Sequence, residues 1–353
     1  MTMPAQAMRY LGMLAATAAV CLALALAVNA AVDPLWYFSG NRLGPVNYAF
    51  NERLSKANLI AGHEHEYDCV IFGDSRVTLL PEQKIAGYRC FNFAFSSGVV
   101  TEFIDYANWL KARGFAPKLI IVGVSAGDFR KRKMPHNVPD FVRAGDNPPS
   151  PFIEYLSLDV LAMSWRSLFD SSPIDRSYDR DFRCQVAVTT PYDPKRPIRD
   201  LYSGPFDERE PLTLYGKLRA VFPQAHYVGY APPISAWAVS EYARIGWLPS
   251  YTRAFDDASS VFDRFVDYSL PSKITIDPAN TYDGTHYSED VNSLIAASLP
   301  DGPAAAGLDL TALSNMQILD AYRARLREYS SALAAGEGGP RGSPDSIPAL
   351  HAQ

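Results

Sequence analysis

The sequence predicts an α/β fold in which helices cover both faces of a central parallel sheet. Short apolar runs typical of buried strands recur along the chain, and helical segments alternate with them. The 353 residues, 48% of them hydrophobic, suffice for a large core, and we expect one domain with an insertion. The predicted strands are 69–72, 91–95, 118–122, 225–230 and 273–276, and a predicted covering helix is 101–113.

The amino-terminal segment predicts a membrane anchor. Residues 11–32 are almost wholly apolar, and Arg9 in the short segment 1–10 precedes them. At about 1.5 Å per residue the run is long enough to cross a bilayer. The positive charge places the amino terminus in the cytoplasm and the domain in the periplasm. Alternatively, Val28-Asn29-Ala30 is an acceptable signal-peptidase site, and the segment is then removed. We favour an uncleaved anchor in the inner membrane.

The rest of the chain divides by composition. Aromatic residues, glycine and proline mark a juxtamembrane connector, and a proline-rich stretch interrupts the strand pattern as an insertion suited to substrate selection. A tail rich in glycine, proline and serine is predicted to be disordered. The predicted parts are a connector at 33–50 with a helix at 51–60, a domain at 61–300 with its insertion at 129–223, a carboxyl-terminal segment at 301–335 with a helix at 311–334, and the tail at 336–353.

Charge and metal-ligand patterns narrow the function classes. With a formal net charge of −5, the chain has no excess of basic residues with which to bind nucleic acid. The basic run 130–133 is either a solvated loop or a contact for an anionic glycan or lipid headgroup. We interpret 63–66, with its alternating histidine and glutamate, as an exposed turn, because this spacing does not match a metal motif. We expect neither a metal nor a cofactor.

The cysteines fit an exported domain. Cys69 and Cys90 open the first two predicted strands, which we expect to be neighbours in the sheet. In an oxidising compartment they form either a disulfide or two buried thiols, and the sequence leaves both open.

Two separated motifs supply the residue types of a serine nucleophile. Gly73-Asp74-Ser75-Arg76 follows the first strand, and Asp283-Gly284-Thr285-His286 precedes an apolar-periodic helix. A serine hydroxyl needs an imidazole base, which a carboxylate holds in one tautomer. Ser75 falls at the carboxyl end of a strand, where α/β sheets place their sites. We therefore predict Ser75 as nucleophile, His286 as base and Asp283 as its orienting carboxylate.

These motifs resemble a known family. Phe72-Gly73-Asp74-Ser75 followed by Asp283-x-x-His286 is similar to the SGNH/GDSL hydrolases over roughly residues 45–300. The resemblance implies a flavodoxin-like three-layer fold. Val32-Asp33-Pro34, Arg53-Leu54-Ser55-Lys56-Ala57 and Arg76 resemble a membrane-anchored bacterial branch. That branch is associated with cell-envelope polysaccharides and includes alginate O-acetylation proteins and the D-alanyl-lipoteichoic acid transfer protein.

The resemblance also implies an oxyanion hole. Its glycine block maps onto Gly98, which precedes a predicted helix whose first amides suit a developing oxyanion. The next block departs from the family pattern, because Ser125 stands in a segment that lacks the usual asparagine. Either Ser125 substitutes for it, or the hole consists of the Ser75 and Gly98 amides alone. We expect Arg76 and Asn92 to contact substrate.

Two functions are consistent with these motifs. The first is a periplasmic serine esterase or O-acyltransferase acting on acyl groups, in particular acetyl groups, of a cell-envelope or exported polysaccharide. Its partners are the acylated glycan and polysaccharide biosynthesis proteins. The second is a non-catalytic glycan-binding subunit of a polysaccharide assembly or export machine.

Overall fold

A six-stranded sheet organises the chain. The computed structural model describes residues 5–44, 47–129, 136–169, 176–179, 182–186, 192–193, 209–304 and 306–334. In chain order the strands are β1 (Asn47–Tyr48), β2 (Cys69–Phe72), β3 (Cys90–Asn92), β4 (Leu119–Gly123), β5 (Ser177–Tyr178), β6 (Cys184–Gln185), β7 (His226–Ala231), β8 (Arg264–Asp267) and β9 (Leu308–Asp309).

The order of the main sheet is β3-β2-β4-β7-β8-β9. All neighbours pair in parallel except β9, which runs antiparallel along the edge of β8. The predicted parallel sheet is thus confirmed. Among its parallel strands the first in sequence lies between the second and the third, an order typical of doubly wound α/β proteins.

Helices lie on both sides of this sheet. Those described are α1 (Ala5–Val32), α2 (Glu52–Ile60), α3 (Val100–Ala112), α4 (Asp140–Ala144), α5 (Pro151–Glu154), α6 (Leu158–Phe169), α7 (Arg209–Val221), α8 (Ala236–Arg244), α9 (Leu248–Ser259), α10 (Lys273–Ile276), α11 (Glu289–Ser298) and α12 (Asn315–Ala334).

The two faces of β2 enter two different cores. Val70 and Phe72 pack into the larger core with side chains of α3, α7, α9 and α12. Cys69 and Ile71 point into a second core, which α11 covers. Successive strand residues alternate between faces, so an uninterrupted apolar run is what a strand buried on both sides requires.

The amino-terminal helix α1 differs from the others because its apolar side chains are mostly exposed. It has 28 residues, and the stretch Gln6–Val32 reaches a mean hydropathy of 2.4 on the Kyte–Doolittle scale. It is therefore long and apolar enough to span a membrane, as the sequence predicted.

The last parallel strand is not where the sequence placed it. Residues 273–276 were expected to be a strand because three of them are β-branched, yet they form the short helix α10. Ser272 caps this helix, and its backbone amide donates to the hydroxyl of Thr275 at 2.8 Å. The last parallel strand is β8 instead. Its apolar centre consists of Phe265 and Val266 alone, and the charged residues Arg264 and Asp267 flank it, so the sequence pattern of a strand is weak here. Residues 264–267 form a strand because they pair in parallel with β7, a tertiary contact that local sequence preference does not reveal.

The insertion and the carboxyl-terminal segment also differ from expectation. Helix α7 falls within 129–223 but packs against α3 as a covering helix of the sheet. Strand β5 of the insertion pairs with β1 of the connector. The segment at 301–335 contains strand β9 before α12 begins. The basic run 130–133 and the tail at 336–353 lie outside the described residues.

A disulfide joins the first residues of β2 and β3. Cys69 and Cys90 are register partners and are bonded, which decides between the two alternatives that the sequence left open. The bond closes a loop with a sequence separation of 21.

We expect this disulfide to stabilise the fold. Closing a loop of this length restricts the unfolded chain and is worth about 3 kcal/mol. Reducing agent should lower the Tm of the wild-type protein by several degrees and should leave the Tm of a Cys69→Ala/Cys90→Ala variant unchanged. Thermal melts of both proteins with and without dithiothreitol test this; an equal response of the two proteins would contradict it.

Candidate active site

Ser75 lies on a tight turn that follows β2. A side-chain carbon on either Gly73 or Gly123 would overlap Val77, so these glycines let the turn approach the ends of β2 and β4. The amides of Val77 and Thr78 donate to the Asp74 carbonyl. The turn therefore presents Ser75 between the first and third parallel strands, at the switch point where ligands bind in such sheets.

His286 lies on a loop between α10 and α11. Asp283 shapes this loop, because its Oδ1 accepts the amides of Thr285 and His286 at 2.9 and 2.8 Å. Gly284 has a φ of +88°, which favours glycine. Its carbonyl accepts the amide of Ser235 at 2.7 Å. These bonds hold the backbone of the loop that carries His286.

The two motifs meet in space. His286 Nε2 is 2.8 Å from Ser75 Oγ, and His286 Nδ1 is 2.8 Å from Asp283 Oδ2. An ionised carboxylate can only accept, so Nδ1 carries the proton and Nε2 is free to receive the serine proton. Residues 211 positions apart in sequence thereby form one hydrogen-bonded line.

The charge of Asp283 suits this arrangement. Partial burial alone would raise the pKa of its carboxyl, but the hydrogen bond and charge of His286 and the loop amides outweigh burial. The pKa of Asp283 therefore lies well below its usual range, and the group stays ionised at neutral pH.

Of the three predicted oxyanion donors, Ser75 alone has an amide open to a ligand. Within the described residues the Ser75 amide has no hydrogen-bond partner. The Gly98 amide donates to the Phe95 carbonyl at 3.0 Å, closing a turn. Gly98 is still required, since a Cβ there would lie 2.5 Å from the Gly73 carbonyl oxygen. Its predicted role as a free donor is not supported; it is a close-packing residue.

Ser125 likewise belongs to a turn. Its amide donates to Asp128 Oδ2 at 3.0 Å, and its hydroxyl accepts the amide of Gly127 at 3.1 Å. The Ser125 hydroxyl accepts from Gly127 and still has its own proton to donate, so the alternative in which Ser125 replaces the family's asparagine stays a prediction.

The two predicted substrate residues have partners inside the protein. Asn92 donates to the carbonyls of Val77 and Leu80 and accepts the amide of Ala94. Its amide is therefore used in holding the serine turn, and the structure does not support a substrate contact. Arg76 donates to Asp74 at 2.7 Å. Burial would raise the pKa of Asp74, but the charge and hydrogen bonds of Arg76 outweigh it and lower that pKa.

Sequence reasoning missed the role of α2. Glu52 accepts the amide of Ser96 at 2.6 Å, Arg53 donates to the Ser96 carbonyl at 3.2 Å, and the buried Lys56 donates to the Asn92 carbonyl at 2.7 Å. These side chains hold the segment after β3 that packs against Gly73. The sequence could have indicated this role. Glu52, Arg53 and Lys56 are one, three and four positions apart, so three charged side chains lie close together on one short helix.

The insertion also reaches the serine turn. Thr78 donates to the Ser75 carbonyl at 2.7 Å and accepts from Arg176 of the insertion at 2.7 Å. Tyr192 of the insertion packs on Gly284, and its hydroxyl is 3.0 Å from Ser235 Oγ. No periodicity or motif marks Arg176 or Tyr192, so only the folded structure reveals these contacts.

Metal-ligand geometry does not occur in the described ranges. They contain no group of three histidine, cysteine, aspartate or glutamate residues able to hold an ion. In 63–66, His63 Nδ1 pairs with Glu66 at 2.7 Å as an exposed pair.

A second carboxyl near the site, that of Asp128, has a raised pKa. Asp128 accepts the Tyr215 hydroxyl at 2.7 Å in addition to the Ser125 amide. Burial, together with repulsion from Asp74, raises the pKa of Asp128 from 3.8 to about 6. The folded chain therefore binds the proton of Asp128 more tightly than the unfolded chain does.

This shift predicts a pH-dependent stability. The contribution of Asp128 is complete below about pH 4 and is lost as pH rises through about 6, because the folded chain binds the proton more tightly. Asp128→Asn keeps the acceptor oxygen but cannot ionise. The Tm of the variant minus that of the wild type should therefore increase from about pH 4 to about pH 7. Paired melts measure this, and a difference that does not vary with pH would assign Asp128 an ordinary pKa.

No family model, curated protein or solved structure matches the chain.

Proposed function

We propose that this chain is a membrane-anchored, periplasmic serine esterase or O-acyltransferase of the SGNH type. Its substrates are acyl groups, in particular acetyl groups, on a cell-envelope or exported polysaccharide. The observation that carries the proposal is the line from Ser75 Oγ through His286 to Asp283, with both distances at 2.8 Å. The strand order of the sheet and the resemblance of both motifs to the SGNH family support it.

The geometry supports covalent catalysis in two steps. Ser75 Oγ attacks the ester carbonyl carbon as its proton passes to His286 Nε2, and the carbonyl oxygen becomes an oxyanion near the Ser75 amide. When the intermediate collapses, the sugar hydroxyl leaves with the proton from His286. Water, or a second sugar hydroxyl, then attacks the acyl-serine with His286 again as base. Asp283 stays ionised and holds the imidazole in the required tautomer.

One observation favours the alternative, a non-catalytic glycan-binding subunit. Gly98 and Ser125 use their backbone amides in turns, so of the three candidate amides only that of Ser75 has no hydrogen-bond partner among the described residues. A hole with fewer donors stabilises an oxyanion less, and losing one donor typically costs about 10² to 10³ in rate. The intact line at Ser75 is the argument against this alternative.

The first functional prediction concerns the nucleophile. Ser75→Ala should abolish hydrolysis of a chromogenic acetyl ester and labelling by a fluorophosphonate, because one hydroxyl carries the covalent chemistry. Ser240→Ala on α8, where the hydroxyl donates to the Trp237 carbonyl, is the matched control and should retain both. Wild-type protein that is neither active nor labelled would favour the binding subunit; equal activity of wild type and Ser75→Ala would exclude Ser75 as nucleophile.

The second prediction concerns the orienting carboxylate. In Asp283→Asn the oxygen can still accept the loop amides, but the new NH₂ group faces His286 Nδ1. This favours the tautomer with the proton on Nε2, which cannot accept the proton of Ser75. Turnover should fall by up to about 10⁴-fold, the scale of this change in serine protease triads. Steady-state kinetics on the same ester measure it; turnover close to wild type would reduce the triad to a dyad.

A further inference from the structure

The insertion exposes six large apolar side chains on α5, α6 and the segment between them. On α6, Leu158, Trp165 and Phe169 are separated by seven and four positions and therefore lie on one side of the helix. We call the following set the α5–α6 face, with exposed fractions in parentheses: Phe152 (64%), Ile153 (70%), Leu156 (44%), Leu158 (77%), Trp165 (65%) and Phe169 (63%). Apolar patches on this scale mark interaction surfaces.

The opposite side of α6 packs against α1. Ser164 is buried there and donates to Asn29 Oδ1 at 2.8 Å, and Asn29 donates to the Tyr155 carbonyl at 2.9 Å. Both side chains are fully buried. These bonds fix α5 and α6 to the carboxyl-terminal end of α1, so the α5–α6 face cannot be oriented independently of α1.

The depth of this junction follows from the length of α1. The helix has 28 residues, whereas about 20 cross the hydrocarbon core of a bilayer. Arg9 marks the amino-terminal end of the apolar stretch, and about 20 residues beyond it reach Asn29. With α1 across the bilayer, its last turn therefore lies at the membrane–water interface. Asp33 follows directly and accepts the amides of Ser39 and Gly40 at 2.9 and 2.7 Å, a polar arrangement that belongs outside the hydrocarbon.

An apolar groove continues the surface of α1 onto α5. A cavity of about 180 Å³ lies between the two helices. It is lined by Ala23, Leu26, Ala27 and Ala30 of α1 and by Phe38 and Phe152. Because Phe152 belongs to both the groove and the α5–α6 face, the two form one surface with the lipid-facing side of α1.

We propose that the α5–α6 face is immersed in the interfacial region of the periplasmic leaflet, with phospholipid as its occupant. Trp165 and Phe169 form an aromatic pair with ring centroids 4.4 Å apart, a residue type and position typical of interfacial anchors. The face fixes the orientation of the α/β domain on the membrane. This inference rests on the proposed membrane anchoring by α1.

Brominated lipids provide the test with the full chain. The protein is reconstituted in phosphatidylcholine/phosphatidylglycerol vesicles with or without brominated acyl chains, and tryptophan emission is recorded. Of the five tryptophans, Trp165 is exposed, Trp36 and Trp109 are buried, and the other two are half-buried. The brominated lipid should quench the wild type strongly and Trp165→Phe several-fold less. Trp247→Phe, whose half-buried ring stacks on Tyr242 of α8, is the control and should be quenched like the wild type.

Two further results separate this inference from the proposals beneath it. Retention of the protein in the membrane at alkaline pH, with equal quenching of wild type and Trp165→Phe, would overturn the α5–α6 proposal and leave the anchor intact. Extraction of the protein at alkaline pH would overturn both. If the protein is a dimer in detergent and its Trp165 is not quenched by brominated lipid in the vesicles, the face belongs to a contact with a second copy. That result would overturn the lipid proposal. Ester hydrolysis, measured on the same samples, reports on the proposed enzyme independently.

Discussion

The site depends on the close approach of the serine turn to the ends of β2 and β4. Val77 packs where any side chain on Gly73 or Gly123 would overlap it, and Gly98 comes as close to Gly73 from the neighbouring segment. A Cβ at any of the three glycines would displace the backbone that carries Ser75. Close packing therefore requires glycine at these three positions, and the Gly98 amide closes a turn within that packing.

Charged groups hold this packing from one side. Burial lowers the pKa of Lys56 to about 8, yet the nearby carboxylate of Glu52 and a carbonyl acceptor favour its charged form. Burying a charge without such partners would cost several kcal/mol. Helix α2 therefore links the connector that follows α1 to the segment beside the nucleophile. The insertion adds Arg176 through Thr78, so both parts of the chain outside the sheet support the same turn.

The same chain elements relate the site to the apolar helix α1. The insertion contributes Arg176 near Ser75 and, earlier in sequence, α6 beside α1. Strand β5 joins it to the connector. If the α5–α6 face lies in the lipid interface, the insertion determines both how the domain sits on the bilayer and how the serine turn is supported. A substrate attached to the envelope would then meet a site whose orientation is fixed.

The sequence by itself determined the parallel sheet, the apolar helix α1 and the candidate residues Ser75, His286 and Asp283. Continuous apolar runs, helical length and turn motifs are local properties that one stretch of chain carries alone. It misplaced the last parallel strand, because β-branched residues at 273–276 matched a strand better than the short apolar centre of β8 did. Tertiary structure alone decided the partners of polar groups, such as those of Asn92, which donates to the carbonyls of Val77 and Leu80, and of Gly98, whose amide closes a turn. Those partners come from distant segments, and a hydrogen bond between them depends on how the whole chain packs.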